Sequence, residues 1–234
     1  MELTVFLLLQ LIAHIGADYF FQTDALAKDK NEKGFRSKFL VWHILIVFAL
    51  SWLLSFQLQF IVGAAVIAIT HYFIDGFKPK LNRHKHLGNY AFFIDQILHL
   101  AVVFTVVLLF EHYHGIYSYW ELPVSESQIM ITLAFLLCLK PANIIIKEVF
   151  RTAQLEIMSV NELPNAGKLI GILERLLTLI FILIGQFEAV GFLIAAKSIL
   201  RYRDDETLKT EYVLIGTMLS FGIAVVLGIF AGNF

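Results

Sequence analysis

The run IVGAAVIAITHYFIDGF, residues 61–77, combines two properties that seldom occur together. It is apolar enough to belong to a membrane-spanning helix, which needs about 20 such residues. It also carries a histidine and an aspartate four residues apart, on one face of a helix. Such groups are costly at membrane depth and usually mark a functional site. Two other apolar runs repeat the pattern, so that the chain holds three pairs: His14 and Asp18, His71 and Asp75, and Asp95 and His99.

The composition indicates an integral membrane protein. Of the 234 residues, 59% are hydrophobic and 16% are charged, and the mean hydropathy is +0.76, well above the values of soluble domains. The formal net charge of −1 gives no basic surplus, which argues against nucleic-acid binding. The single cysteine, Cys138, excludes an internal disulfide and a thiolate metal cluster. The first apolar run lacks a basic start and a small-residue cleavage site, so we expect a retained span rather than a signal peptide.

Hydropathy predicts an all-α bundle of about eight transmembrane helices. They are expected at residues 3–22, 38–55, 58–76, 90–110, 128–148, 168–186, 188–203 and 211–232. The segment at 188–203 is the weakest, because its apolar part is short and basic residues follow it. A long polar break, residues 112–127, predicts two four-helix membrane domains. Residues 1–115 carry the histidine–aspartate pairs, and residues 116–234 are expected to pack beside them.

The basic residues predict the orientation. All but two of the 18 lysines and arginines fall in or beside the odd-numbered connections, and the even-numbered connections and both chain ends have none. By the positive-inside rule, the odd connections face the cytoplasm and both termini lie on the outer side. The three pairs, together with His43 near the start of the second span, then fall in one layer near the cytoplasmic face.

Imidazole and carboxylate groups from four helices at one depth predict a metal centre. The expected ligands are His14, Asp18, His43, His71, Asp75, Asp95 and His99. Seven donors exceed what one zinc takes, so the sequence favours two ions, or one ion with supporting groups. Zinc, manganese and ferrous iron all suit these donors. For a single pair, a buried histidine that is hydrogen-bonded to its aspartate is the better interpretation. Three pairs at one predicted depth favour a metal site.

The second half adds charged residues in the same predicted layer. Lys140, Arg175, Lys197 and Arg201 are candidates for binding a substrate anion, and Glu174 is a candidate general base. The alternative is that the lysines and arginines extend to the interface as ordinary surface cations.

The quoted runs resemble an uncharacterised family of bacterial integral-membrane proteins, a domain of unknown function. The motifs that carry the resemblance are HIGAD at 14–18, THYFID at 70–75 and DQILH at 95–99. The second half resembles the longer members of that family, in GILER at 171–175, AKSILR at 196–201 and YVLIGT at 212–217. The resemblance implies a bacterial inner-membrane location and supplies no reaction. The first-half motif is also loosely similar to membrane-bound metal-dependent hydrolases, which carry His-x-x-x-Asp near their start.

The sequence therefore favours a multi-pass protein of the bacterial inner membrane with a cytoplasm-facing, dinuclear metal centre. We expect a metal-dependent hydrolase acting on a membrane lipid or a small phosphorylated or acylated molecule, because a metal ion activates water at neutral pH. One alternative is a proton or divalent-metal transporter that uses the same residues. A second alternative is a non-catalytic sensor or assembly partner stabilised by metal.

Overall fold

The structure is a computed structural model that describes residues 1–117, 123–155, 166–201 and 207–234, with backbone only at 166, 200, 201 and 207–210. All regular secondary structure in these ranges is helical, as expected. The helices are α1 (Leu3–Ile15), α2 (Asp24–Lys33), α3 (Lys38–Leu53), α4 (Ile61–Asn82), α5 (Ala91–His114), α6 (Glu126–Cys138), α7 (Lys140–Thr152), α8 (Ala166–Leu183), α9 (Phe187–Arg201) and α10 (Thr207–Gly232). The chain divides into two compact units, Met1–Ile129 and Met130–Phe234. The division into membrane domains 1–115 and 116–234 stays a prediction.

Four helical segments are long and apolar enough to cross a membrane alone: Leu3–Phe20, Leu58–Asn82, Gly88–His114 and Glu211–Gly232. Two helix pairs meet the same criteria only when taken together, and both are bent: α2 with α3 by 105°, and α6 with α7 by 48°. The described residues thus contain 4 to 6 candidate membrane-spanning helices. The regions expected as the sixth and seventh spans are helical, as α8 and α9. The count of eight stays a prediction.

The first unit contains a four-helix bundle. Helix α1 packs against α3 and α5, and α4 packs against the same two helices. Phe6, Phe60 and Phe110 meet inside the bundle, with ring centroids 4.9 to 5.9 Å apart. Phe6 lies two turns before His14 along α1, so these aromatic rings fill the end of the bundle away from the histidine–aspartate pairs. The polar end is thereby left for the candidate site.

Helix α2 occupies a stretch that the sequence indicated only as a polar connection. Thr23 caps its start by accepting a hydrogen bond from the Leu26 backbone N–H at 3.3 Å. At its end Gly34 adopts a positive φ of 53°, and a Cβ there would lie 2.4 Å from the carbonyl oxygen of Gly76 on α4. Glycine is required at this corner, because only it permits both the backbone angle and the close approach. The corner holds α2 against α4.

A second set of contacts fixes the turn into α3. The Ser37 hydroxyl donates to Asp29 Oδ2 at 2.6 Å, and Lys33 forms an ion pair with the same carboxylate. These two partners lower the pKa of Asp29, Lys33 having the larger effect. The carboxylate of α2 therefore bonds the residue that precedes α3, which helps to hold the bend of 105°.

In the second unit the span expected at 128–148 is broken. Helix α6 ends at Cys138 and α7 begins at Lys140, with Pro141 in its first turn. Proline lacks a backbone N–H and is disfavoured within a helix but accepted at its start, which explains the position of the break. The fifth span expected at 128–148 thus consists of two helices, and its crossing of a membrane stays a prediction.

Helices α8 and α10 approach closely, because a Cβ at Gly228 would lie 2.7 Å from Ile182 Cγ2.

Candidate metal centre

The site begins where α1 changes its winding. Gly16–Phe20 form a π-helical turn, in which the Phe21 backbone N–H donates to the Gly16 carbonyl at 3.0 Å. Such turns often occur at functional sites. This one carries Asp18, which is 8% exposed, one turn after the buried His14. Their closest atoms, His14 Nε2 and Asp18 Oδ2, are 4.0 Å apart.

Four side chains, one from the π-helical turn and three from α3 and α4, converge on one point. His43 Nε2 and His71 Nε2 are 3.1 Å apart. Asp18 Oδ1 lies 3.2 Å from the first nitrogen and 3.3 Å from the second. Asp75 Oδ2 lies 3.5 Å and 3.3 Å from the same two atoms. Each carboxylate oxygen therefore completes a nearly equilateral triangle with the two imidazole nitrogens.

The size of these triangles suits a zinc ion. A point equidistant from the two imidazole nitrogens and Asp18 Oδ1 lies about 1.9 Å from each, slightly less than the about 2.0–2.1 Å of zinc–nitrogen and zinc–oxygen bonds. A cation displaced slightly from the plane would thus contact all three atoms at bonding distance. The triangle with Asp75 Oδ2 gives nearly the same radius. Both triangles share the two nitrogens, so this geometry suits one ion rather than two.

His99 and Asp95 of α5 extend the site on its other side. The His99 ring stacks on the His71 ring with centroids 3.8 Å apart. His99 Nδ1 lies 3.8 Å from Asp95 Oδ2. Ligand atoms of Asp75, Asp95 and His99 all lie within 4.8 Å of one another, as do those of His14, Asp18 and His71. All seven residues expected from the sequence therefore belong to one buried cluster, each at most 8% exposed.

Two lysines that the sequence analysis counted only as orienting charges also enter the cluster. Lys30 Nζ of α2 lies 2.7 Å from Asp75 Oδ2, and Lys78 Nζ of α4 lies 2.7 Å from Asp95 Oδ2. The side chain of Lys30 is 4% exposed and that of Lys78 is 11% exposed. A sequence signal existed for Lys78, which follows Asp75 by three residues on the same helical face. No periodicity marked Lys30, because α2 is polar nearly throughout.

Gln96 and Tyr19 connect the two sides. The Gln96 amide donates to Asp95 Oδ2 at 3.1 Å and to Asp18 Oδ2 at 3.4 Å. The Tyr19 hydroxyl donates to Gln96 Oε1 at 3.0 Å. Gln22 donates to the backbone carbonyl of Asp18. These bonds orient the acids, the role that supporting residues play around metal ligands.

The cluster has unsatisfied polar atoms and an unbalanced charge. Among the described residues, neither ring nitrogen of His99 nor Asp95 Oδ1 has a hydrogen-bond partner. Three buried carboxylates face the ammonium groups of Lys30, which is buried, and Lys78, which is nearly so; this leaves one negative charge if the imidazoles are neutral. Buried charges require compensation. A divalent cation, or a proton on one imidazole, would provide it.

Comparison with known proteins gives one match. The family model "Protein of unknown function (DUF3307)" matches residues 6–125. The chain belongs to this family. No curated protein and no solved structure matches the chain. The resemblance to an uncharacterised family is therefore confirmed, and the similarity to metal-dependent hydrolases stays an expectation.

The DUF3307 match includes every residue of the candidate metal centre, from His14 to His99. The charged residues predicted in the second half lie beyond it, in the second unit. Arg175 is 1% exposed and donates to the Cys138 carbonyl at 2.8 Å, Ser220 Oγ at 2.9 Å and Asn143 Oδ1 at 2.7 Å. Its three nitrogens are each bonded to a neutral protein acceptor, an arrangement that favours a structural role.

The remaining predicted residues of the second unit are differently placed. Lys197 forms an ion pair with Glu174, and its Nζ also lies 5.7 Å from the Phe221 ring centroid. Lys140 begins α7, directly after the break that follows α6. The side chain of Arg201 lies outside the described residues. Catalysis by Glu174 stays a prediction, as does substrate-anion binding by the four cations Lys140, Arg175, Lys197 and Arg201.

Proposed function

We propose that this DUF3307 protein is a metal-dependent hydrolase of the bacterial inner membrane, with eight spans and both termini on the outer side. One divalent cation, zinc in the first instance, would bind between His43 and His71, with Asp18 and Asp75 supplying carboxylate oxygens. The observation that carries the proposal is the pair of triangles of nitrogen and oxygen atoms with sides of 3.1–3.5 Å. Manganese and ferrous iron are chemically possible substitutes. The substrate would be a membrane lipid or a small phosphorylated or acylated molecule.

The lysines support the proposed orientation. Lys30 and Lys78 come from the first and third connections or their borders, which the positive-inside rule assigns to the cytoplasm. Both reach the cluster directly. A site bordered by these lysines would open toward the inner face, where water and anionic substrates are available.

We assign a role to each residue of the proposed site from its position. A bound cation of this class activates water at neutral pH and polarises the bond to be cleaved. His14 lies one turn before Asp18, and His99 stacks on His71, so both lie beside the triangles, and we assign proton transfer to them. Gln96 holds Asp18 and Asp95 in place. Because Glu174 is paired with Lys197, we assign the general base to the first unit instead.

The test is elemental analysis of the full chain purified in mild detergent, with the His71→Ala variant beside the wild type. We expect close to one zinc per wild-type chain and much less in the variant. Phosphoester and lipid-ester substrates should then show turnover that chelators abolish and zinc restores. Wild-type protein without tightly bound metal would refute the proposal.

One observation favours a transporter as second candidate. Gln10 of α1 and Ser51 of α3 form a reciprocal pair, with the amide donating to the Ser51 carbonyl at 2.9 Å and the hydroxyl donating to Gln10 Oε1 at 2.6 Å. Together with His14 they border a cavity of about 10 Å³, about the space for one water. This pair carries polar atoms from the cluster toward the proposed outer side. Flux of protons or divalent ions into proteoliposomes, without hydrolysis, would favour transport, and bound metal without flux or turnover would favour a sensor or assembly partner.

A further inference from the structure

Lys30, which is buried, and Lys78, whose side chain is 11% exposed, have unused hydrogen-bonding capacity. An ammonium group has three N–H donors. Among the described residues the structure gives Lys30 one partner, Asp75, and gives Lys78 one partner, Asp95. Buried donors are normally satisfied. The remaining donors of both groups therefore indicate a ligand that carries acceptor oxygens.

The charge of the cluster changes sign when a metal binds. Without metal, the three aspartates and two lysines leave one negative charge. A divalent cation converts this to one positive charge, as long as the imidazoles are neutral. A single positive charge away from bulk water is best compensated by one negative charge on a ligand. The loaded site therefore favours a monoanion over a neutral molecule.

The positions of Lys30 and Asp75 indicate which chemical group could contact both the metal and the lysine. Lys30 Nζ lies 2.7 Å from Asp75 Oδ2. A zinc ion bound to that oxygen at about 2.1 Å would be at most about 4.8 Å from the ammonium nitrogen. One tetrahedral phosphoryl group can bridge this distance, with one oxygen on the metal and another accepting from the lysine. Arrangements of metal and lysine around phosphoryl oxygens are effective in stabilising their charge.

We infer that the metal-loaded centre binds a singly charged phosphodiester group between the cation and the ammonium groups of Lys30 and Lys78. This inference rests on the proposed metal centre and specifies its substrate class. The anion-binding groups are then lysines of the first unit. A phosphodiester could come from a phospholipid headgroup or from a small soluble molecule, and the experiment separates these sources.

The probes are dimethyl phosphate, which is a monoanion, and trimethyl phosphate, its neutral counterpart. The full chain is loaded with manganese in detergent, and broadening of the phosphorus NMR signal of each probe is measured. We expect the wild type to broaden dimethyl phosphate at least about tenfold more strongly, because a charge-assisted hydrogen bond contributes about 1.5–3 kcal/mol. In bicelles, broadening of the phospholipid phosphorus signal assigns the source to a lipid headgroup. Response to dimethyl phosphate alone assigns the source to a soluble molecule.

Three lysine variants isolate the ammonium groups. Lys30→Met and Lys78→Met should each weaken dimethyl phosphate binding about 10- to 100-fold. Lys28→Met is the matched control, because Lys28 lies on the same helix with its side chain 75% exposed, and it should bind as the wild type does. Lys30→Arg keeps the charge and should recover most of the affinity lost in Lys30→Met.

Metal content is measured in every sample, which separates two kinds of failure. Wild-type protein that retains no manganese and no zinc refutes the metal centre itself. Wild-type protein that retains manganese but broadens the charged and neutral probes equally overturns only the phosphodiester site. This comparison uses the wild type alone, so it holds even if a lysine variant does not fold.

Discussion

His43 provides the sharpest test of the metal centre, because its Nε2 belongs to both triangles and the residue is completely buried. We predict that His43→Gln weakens zinc binding roughly 100-fold. Structural zinc sites with four ligands bind with about 10–16 kcal/mol, so the share of one ligand is about 3 kcal/mol. His86→Gln is the control, since His86 is exposed in the connection between α4 and α5.

The assay is thermal unfolding of the full chain in detergent at a fixed concentration of free zinc. With zinc at about 100 times the wild-type dissociation constant, binding should stabilise the wild type by about 2.7 kcal/mol and His43→Gln by only about 0.4 kcal/mol. His86→Gln should behave as the wild type. The reasoning fails if His43→Gln keeps the whole zinc-dependent stabilisation, or if His86→Gln loses it.

Three other predictions concern single substitutions. Gly34→Ala should lower the free energy of unfolding by about 2 kcal/mol or more, because Gly34 has a positive φ and a backbone oxygen lies 2.4 Å from the new Cβ. Gly167→Ala, with open space around it, should not, and equal losses in both variants would contradict the requirement for glycine between α2 and α3. Arg175→Met should lower the free energy of unfolding by about 3 kcal/mol in chemical denaturation, since it leaves two buried acceptors and one partly buried acceptor without their donor. A loss no larger than that of Arg151→Met, at a half-exposed arginine, would count against this role. Gln10→Leu should leave zinc content and turnover within about twofold of the wild type if the protein is a hydrolase. If Gln10→Leu instead abolishes a proton flux that the wild type shows in proteoliposomes, measured with a pH-sensitive dye, the transporter is supported.

Much of the site could be predicted from sequence because spacing fixes helical faces. His71 and Asp75 had to share a face once their run was helical, and His14 and Asp18 likewise. A common depth was predicted from the distribution of lysines and arginines. That depth stays a prediction, but the structure brings the residues concerned into one cluster. The convergence was predictable because polar side chains within apolar helices have no alternative to meeting one another.

Other features depend on contacts that spacing does not encode. Lys30 reaches Asp75 only because α2 folds back at Gly34, a turn decided by its close approach to α4. The seven donors left the number of metal ions open between one and two, and they gave no sign that the Lys78 ammonium pairs with Asp95. The hydrogen bonds of Arg175 could not be foreseen either, because its three acceptors, on Cys138, Asn143 and Ser220, lie far from it in the sequence. In each case the deciding partner is remote in sequence.

The interruption between α6 and α7 has an evolutionary consequence. A helix that stops at Cys138 leaves carbonyl oxygens without their usual N–H partners, and the guanidinium of Arg175 is the group that occupies one of them. If the chain lost Pro141 and formed one continuous helix, the Cys138 carbonyl would accept a hydrogen bond from a backbone N–H of that helix. The buried Arg175 guanidinium would then lose one of its acceptors. Relatives should therefore gain or lose the proline and the arginine together. In an alignment of the longer DUF3307 members, the positions of Pro141 and Arg175 should covary.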